Sequence, residues 1–184
     1  LGKIKVAIIG VGNCASALVQ GVQKYRETLE DGPVPGLMHP LLAGYSIGDI
    51  EFVAAFDVDK NKVGKDLSKA IVAPPNNTIS FADVPEIGVK VQRGMTHDGI
   101  GKYVQGIVEK APGSTVDVAQ ILIDREVDVV VNFLPVGSEM ATKWYVEQIL
   151  TARCGLVNCI PQFIAREEYW RDRFEQRGAP IIGD

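Results

Sequence analysis

The sequence predicts an α/β domain, doubly wound, with a mainly parallel sheet and helices on both faces. Three observations carry this expectation. Short runs such as 4–9 and 127–134 are mostly apolar and rich in β-branched residues, the composition of strands buried on both faces. Between such runs, apolar residues recur at helical spacing, so strand and helix alternate along the chain. A turn containing two glycines joins the first strand to the first helix, at the point where the apolar period changes.

Composition bounds the function. A chain of 184 residues fits one domain and can bury about 70% of its unfolded surface. Hydrophobic residues make up 46%, charged residues 23%, and the net charge is −4, so a soluble globular protein is expected. No basic field is present to attract nucleic acid or an anionic membrane, and neither is expected as a partner. No apolar run approaches the 18 or so residues of a membrane span, and 6–9 is too short for the apolar part of a signal peptide. The three cysteines, Cys14, Cys154 and Cys159, lack metal-ligand spacing and are odd in number. We therefore expect small buried hydrophobes, no metal site and a reducing, cytoplasmic location.

Taken in order, the first strand runs over Ile4, Val6, Ile8 and Ile9, and Ala15, Leu18, Val19, Val22 and Leu29 mark the helix after it. The turn between them, G-V-G-N-C-A, fits G-x-G-x-x-G/A with Gly10, Gly12 and Ala15 in the small positions. Gly10 permits the tight turn, Gly12 lets a pyrophosphate approach the backbone, and Ala15 lets helix and sheet pack closely. The free N–H groups of the helix's first turn would then face the phosphates.

Residues 31–48 are rich in glycine and proline, which excludes a continuous helix or a central strand. The second strand is expected over 51–58, ending at Asp57, an acid placed to accept hydrogen bonds from adenosine ribose hydroxyls. Asp57 lies 45 residues beyond Gly12, against a usual interval of about 20, and the intervening excursion accounts for the excess. Asp59 is the alternative acceptor. Two acids here favour NAD over NADP, with Lys60 and Lys62 acting against that preference.

Val63, Leu67 and Ile71 suggest a short helix closed by Pro74 and Pro75, with Asp66 on it as surface charge. Asn76, Asn77 and Thr78 form a polar loop that either makes a turn or reads a base edge. A strand over 89–92 leads into a loop in which His97 and Asp98 suggest a general base, although no nucleophile or orienting group accompanies them, and an exposed loop is expected. Tyr103, Val104, Ile107 and Val108 propose a further helix, and Ser114 with Asp117 a capping box for the next, to about Arg125.

The run 127–134 is expected to be central in the sheet. Asn132, Leu134, Pro135, Gly137 and Ser138 at its carboxyl end either touch a cofactor or make a simple strand-to-helix turn. A helix carrying Met140, Trp144, Tyr145 and Ile149 follows, then a strand over 155–160, a helix with Tyr169, Trp170 and Phe174 ended by Gly178, and a last strand from Pro180.

The segments G-V-G-N-C-A-S-A-L-V-Q-G-V (10–22), V-P-G-L-M-H (34–39), F-V-A-A-F-D-V-D (52–59), N-N-T (76–78), R-G-M-T-H-D-G-I-G-K-Y (93–103) and L-P-V-G-S-E (134–139) stand together in one order and spacing. In this they closely resemble the amino-terminal half of the myo-inositol-1-phosphate synthase family in its shorter prokaryotic form. The resemblance covers essentially all of residues 1–184 and implies one Rossmann-like NAD-binding domain. It implies an NAD-dependent isomerase that converts glucose 6-phosphate to inositol 1-phosphate for inositol and phospholipid biosynthesis, as a homo-oligomer, a tetramer when full length.

By matching motif, Gly10, Gly12, Asn13, Cys14 and Ala15 would lie along the pyrophosphate and Asp57 on the ribose. Asn77, Leu134, Pro135 and Ser138 would line the cofactor crevice, and Asp66, Tyr145 and Asp184 align with further NAD positions. The family continues into G-D-D-x-K-S and a second half whose lysines carry the chemistry, whereas this sequence has Gly183 and Asp184. A piece of a longer protein is therefore expected, one that binds NAD without turning over substrate, with the catalytic residues, which the sequence does not identify, expected beyond residue 184. The competing readings are an NAD dehydrogenase of the homoserine-dehydrogenase type and a non-catalytic nucleotide-binding module.

Overall fold

The computed structural model describes residues 2–26, 34–100 and 106–184. In chain order the elements are β1 (Ile4–Ile9), α1 (Asn13–Tyr25), β2 (Leu41–Leu42), β3 (Tyr45–Ser46), β4 (Ile50–Asp57), α2 (Leu67–Ala70), β5 (Val91–Arg93), α3 (Val118–Asp124), β6 (Val129–Asn132), α4 (Glu139–Ala152), β7 (Gly155–Asn158), α5 (Glu168–Arg177) and β8 (Ile181–Ile182). Six strands form one sheet in the order β5-β4-β1-β6-β7-β8, parallel throughout. The doubly wound α/β expectation is met, and 127–134 is central through β6, which pairs with β1 and β7.

Strand β1 shows why its run is apolar on both sides. Val6 and Ile8 pack toward Ala15, Val19 and Val22 of α1 and Leu67 and Ala70 of α2. Ala7 and Ile9 point to the other face, into a core with Leu122 of α3, Tyr145 and Ile149 of α4 and Phe174 of α5. Each large side chain so buried contributes about 1.5–3 kcal/mol. Ile9, the last residue of β1, lies opposite Phe56 of β4 on one side and Asn132 of β6 on the other. Chain order reverses at β1, and the carboxyl ends of β4, β1 and β6 bound the crevice that such a reversal leaves.

Local expectations need several corrections. The helix suggested by Val63, Leu67 and Ile71 is only α2, because Gly64 has φ +86° and the Asp66 carboxylate then caps the chain at Ser68 N. Helix α3 is started by Asp117, which accepts from Gln120 N at 3.0 Å, and not by a box from Ser114. Of the excursion 31–48, residues 31–33 lie outside the described residues, and the remainder contains the β2–β3 hairpin. Its turn residues Ala43 and Gly44 have φ +51° and +85°, the positive pair that a two-residue hairpin turn uses.

The helix proposed from Tyr103 and Val104 falls outside the described residues, as does Leu29, while Ile107 and Val108 lie in turn and irregular structure. Among the cysteines only Cys154 is buried; Cys14 is exposed in the first turn of α1 and Cys159 in the connection just past β7. No helix among the described residues is long and apolar enough to cross a membrane.

Candidate functional site

A cleft of about 330 Å³ opens where the crevice is expected. Gly10, Gly12 and Asn13 line it from the first turn, and Phe56, Asp57, Val58, Asp59 and Lys62 from the end of β4. Pro75, Asn76 and Asn77 close one side, Met95, Gly99, Ile100, Ile107 and Val108 another, and Phe133, Leu134, Pro135 and Tyr145 the floor beyond β6. A second cavity, of about 420 Å³, lies among Lys3, Arg26, Glu51 and Glu86 at the amino ends of β1 and β4. Its size is greater, but it has neither the glycine turn nor a strand's carboxyl end, so the smaller cleft is the chemical candidate.

The two glycines do different work. Gly10 has φ +84°, and a Cβ there would stand 2.8 Å from the Phe133 carbonyl oxygen, so the fold itself requires glycine. Gly12 has an ordinary φ of −91°, and a Cβ added there would meet nothing within 4 Å. That open volume faces the first turn of α1, whose amide groups receive no side-chain cap, whereas Asp66 and Asp117 cap α2 and α3. Bare N–H groups, a positive helix end and free space over glycine make a cradle that fits a pyrophosphate.

Asp57 ties the end of β4 to this turn. One carboxylate oxygen, Oδ2, accepts from Val11 N at 2.7 Å, and Oδ1 accepts from Val58 N at 2.6 Å and Asp59 N at 2.8 Å. An ionised carboxylate offers about four acceptor positions, so room remains for a ligand donor.

Asn13 reaches across to the 76–78 loop. Its Oδ1 accepts from Asn77 N, Thr78 N and Thr78 Oγ1, and its Nδ2 donates to Asn77 Oδ1 at 2.8 Å. Asn76 braces the same wall by donating from Nδ2 to the Val11 and Ile71 carbonyls, while Lys62 Nζ donates to its Oδ1 at 2.9 Å. The loop is thus stapled to the glycine turn as one rigid wall.

Tyr145, placed on α4 by no pattern beyond helical spacing, reaches the cleft because its hydroxyl accepts from Met95 N at 3.0 Å. Burial, the largest influence, raises its phenol above the ordinary range. Leu134 N donates to Asn132 Oδ1, and Ser138 Oγ donates to the Pro135 carbonyl at 2.6 Å, which fixes the turn out of β6.

Several residues expected at the site stand away from its lining. Ala15 and Ser138 are fully buried, Cys14 is exposed on α1, and Asp66 spends its carboxylate on Ser68, Ile87 N and Gly88 N. Asp184 accepts from Ile164 N, Ala165 N and Arg166 N, bracing the segment after β7. Asp98 is no general base. Its carboxylate accepts from Met140 N at 2.9 Å and Ala141 N at 2.8 Å, capping α4 from a distant loop.

Met95, Ile107 and Val108 are among the lining residues that sequence reasoning missed. Segment 109–111 lies beside β4's exit through Lys60 N to Glu109 O and Ala111 N to Val58 O, and these backbone bonds leave no side-chain signature.

No family model matches the chain. The whole chain is 55% identical over 183 residues to the inositol-3-phosphate synthase of Mycolicibacterium smegmatis. It is 50% identical over 181 residues, 98% of its length, to that of Corynebacterium glutamicum. The chain spans about half the length of these curated relatives, 50% in each case. Among solved structures, the crystal structure of Ari2 superposes with a TM-score of 0.84 at 33% identity, covering 99% of this chain and 54% of that one.

Proposed function

We propose that this chain is the NAD-binding part of an inositol-3-phosphate synthase, an isomerase that converts glucose 6-phosphate to myo-inositol 1-phosphate. The single observation that carries the cofactor assignment is the open volume over Gly12, facing uncapped α1 amides with the Asp57 carboxylate across the crevice. Gly10, Gly12 and the first turn of α1 would hold the pyrophosphate, Asp57 the adenosine ribose, and Leu134, Pro135 and Tyr145 the walls further along. When bound, NAD supplies reversible hydride exchange with C5 of the open-chain sugar, so oxidation, enolisation, aldol closure and reduction leave no net redox change.

What these residues contribute is position. The Asn13–Asn77 clasp and the Lys62–Asn76 bond keep one wall fixed, and the apolar side chains of Phe133, Leu134 and Met95 limit water around the cofactor. NAD is favoured over NADP because Asp57 would repel a 2′-phosphate. The two lysines that could favour that phosphate are committed, Lys60 to Glu109 and Lys62 to Asn76 and Asp59. In this reading the parent protein works in the cytoplasm, in inositol and phospholipid biosynthesis, as a homotetramer whose other half holds the sugar phosphate. Calorimetric titration of the purified chain tests the assignment: saturable one-site NAD binding, with NADP much weaker, is expected, and a folded chain that binds neither contradicts it.

A further inference from the structure

Asp59 is 1% exposed, yet its Oδ2 has no hydrogen-bond partner among the described residues. Its other oxygen is in use, accepting from Asn61 N at 2.8 Å. The nearest cation, Lys62 Nζ, stands 4.0 Å from Oδ2, too far to bond it, and that amine already donates to Asn76. A buried anionic oxygen without a donor is costly, and Asp59 lines the cleft.

The part of the cleft around it has a definite chemistry. Val58 precedes Asp59, and the backbone bonds Lys60 N to Glu109 O and Ala111 N to Val58 O bring the segment carrying Ile107 and Val108 alongside. With Pro75, these residues give apolar walls next to one unsatisfied acceptor. A flat aromatic base bearing an exocyclic amine is the group that needs both. A ribose hydroxyl fits less well there, because Asp57, two residues earlier at the strand end, is the acid with a free acceptor position facing the glycine turn.

We infer that Asp59 Oδ2 accepts a hydrogen bond from the adenine amino group of the dinucleotide and so makes the site selective for adenine, a role separate from that of Asp57 on the ribose. The inference rests on the cleft being the NAD site. The probe is nicotinamide hypoxanthine dinucleotide, which replaces the amino group by a carbonyl oxygen and would set two acceptors against each other. Calorimetric titration of the purified chain should show NAD binding about ten- to a hundredfold more tightly than this analogue, the size of one hydrogen bond to a charged group. Asp59→Asn, whose amide can turn either its oxygen or its NH₂ to the base, should reduce the preference to within roughly threefold. Asp57→Asn should weaken both dinucleotides and keep their ratio.

Equal affinity of the wild-type chain for the two dinucleotides would overturn the inference while leaving the NAD site standing. Failure of the wild-type chain to bind either would overturn the site and the inference with it. Retention of the full preference by a folded Asp59→Asn chain would transfer the selectivity elsewhere and also overturn it. The wild-type comparison needs no variant, so it decides even if Asp59→Asn fails to fold.

Discussion

Substituting Gly10 and Gly12 separately should uncouple folding from cofactor binding, because the structure gives the two glycines different neighbours. At Gly10 the left-handed backbone alone costs a side-chain-bearing residue about 1–2 kcal/mol. A Cβ would also sit 2.8 Å from Phe133 O and 2.9 Å from its carbonyl carbon, backbone atoms of β6's exit that cannot swing aside. Gly10→Ala should therefore cost at least about 2 kcal/mol, or roughly 4–8 °C in melting temperature for a domain of this size. At Gly12 an added Cβ meets nothing within 4 Å, and the loss is that of a moderate helix cap, about 1 kcal/mol and 2–4 °C. Gly12→Val fills the pyrophosphate's space instead. Losing two charge-assisted bonds to phosphate, about 1.5–3 kcal/mol each, weakens NAD by more than about a hundredfold. Thermal denaturation followed by circular dichroism, paired with NAD titration of each variant, reads both effects. Near-normal NAD affinity in a folded Gly12→Val chain, or an unchanged melting temperature in Gly10→Ala, would refute the division of labour.

Asp57→Ala should weaken NAD about ten- to a hundredfold and narrow its advantage over NADP. It should also lower the melting temperature, since Val11 N loses its acceptor, and a calorimetric series with both dinucleotides checks the two together. Tyr145→Phe leaves Met95 N without its partner in a partly buried place, which should cost about 1–3 kcal/mol in a denaturant titration while NAD affinity falls far less than in Gly12→Val. For Asp66, burial pushes the carboxyl up, but bonds from Ser68, Ile87 N and Gly88 N outweigh it and hold the group below its ordinary 3.8. A folded value below the unfolded one stabilises above about pH 4 and is lost as pH falls through the depressed value. Asp66→Asn should flatten that acid limb of the stability profile, and an unchanged limb would contradict the assignment.

The fold was legible because β1 and β6 carry their apolar residues on both faces, which only a sheet covered on both sides demands. The glycine turn was legible for a similar reason, since Gly10's backbone and Gly12's space are each a property of one residue type. The exposed loop at His97 was expected, but the capping role of Asp98 was not legible, because the helix it caps begins some 40 residues later in sequence. Lys62 and Asn76 were unreadable as a pair for the same reason: their bond depends on how two turns meet in space. Asp59 was visible as an acid near the strand end, but its buried, half-satisfied state exists only once segment 109–111 lies beside β4's exit.

The central claim is that NAD binds in the crevice over Gly12, and amide chemical-shift mapping of the isotope-labelled chain during NAD titration tests it most directly. The account predicts saturable shifts concentrated at Gly10, Gly12, Asn13, Val58 and Asn77, with the amides of Lys3, Arg26, Glu51 and Glu86 around the second cavity unmoved. Shifts centred on that second cavity, or no saturable shifts in a folded chain, would contradict it.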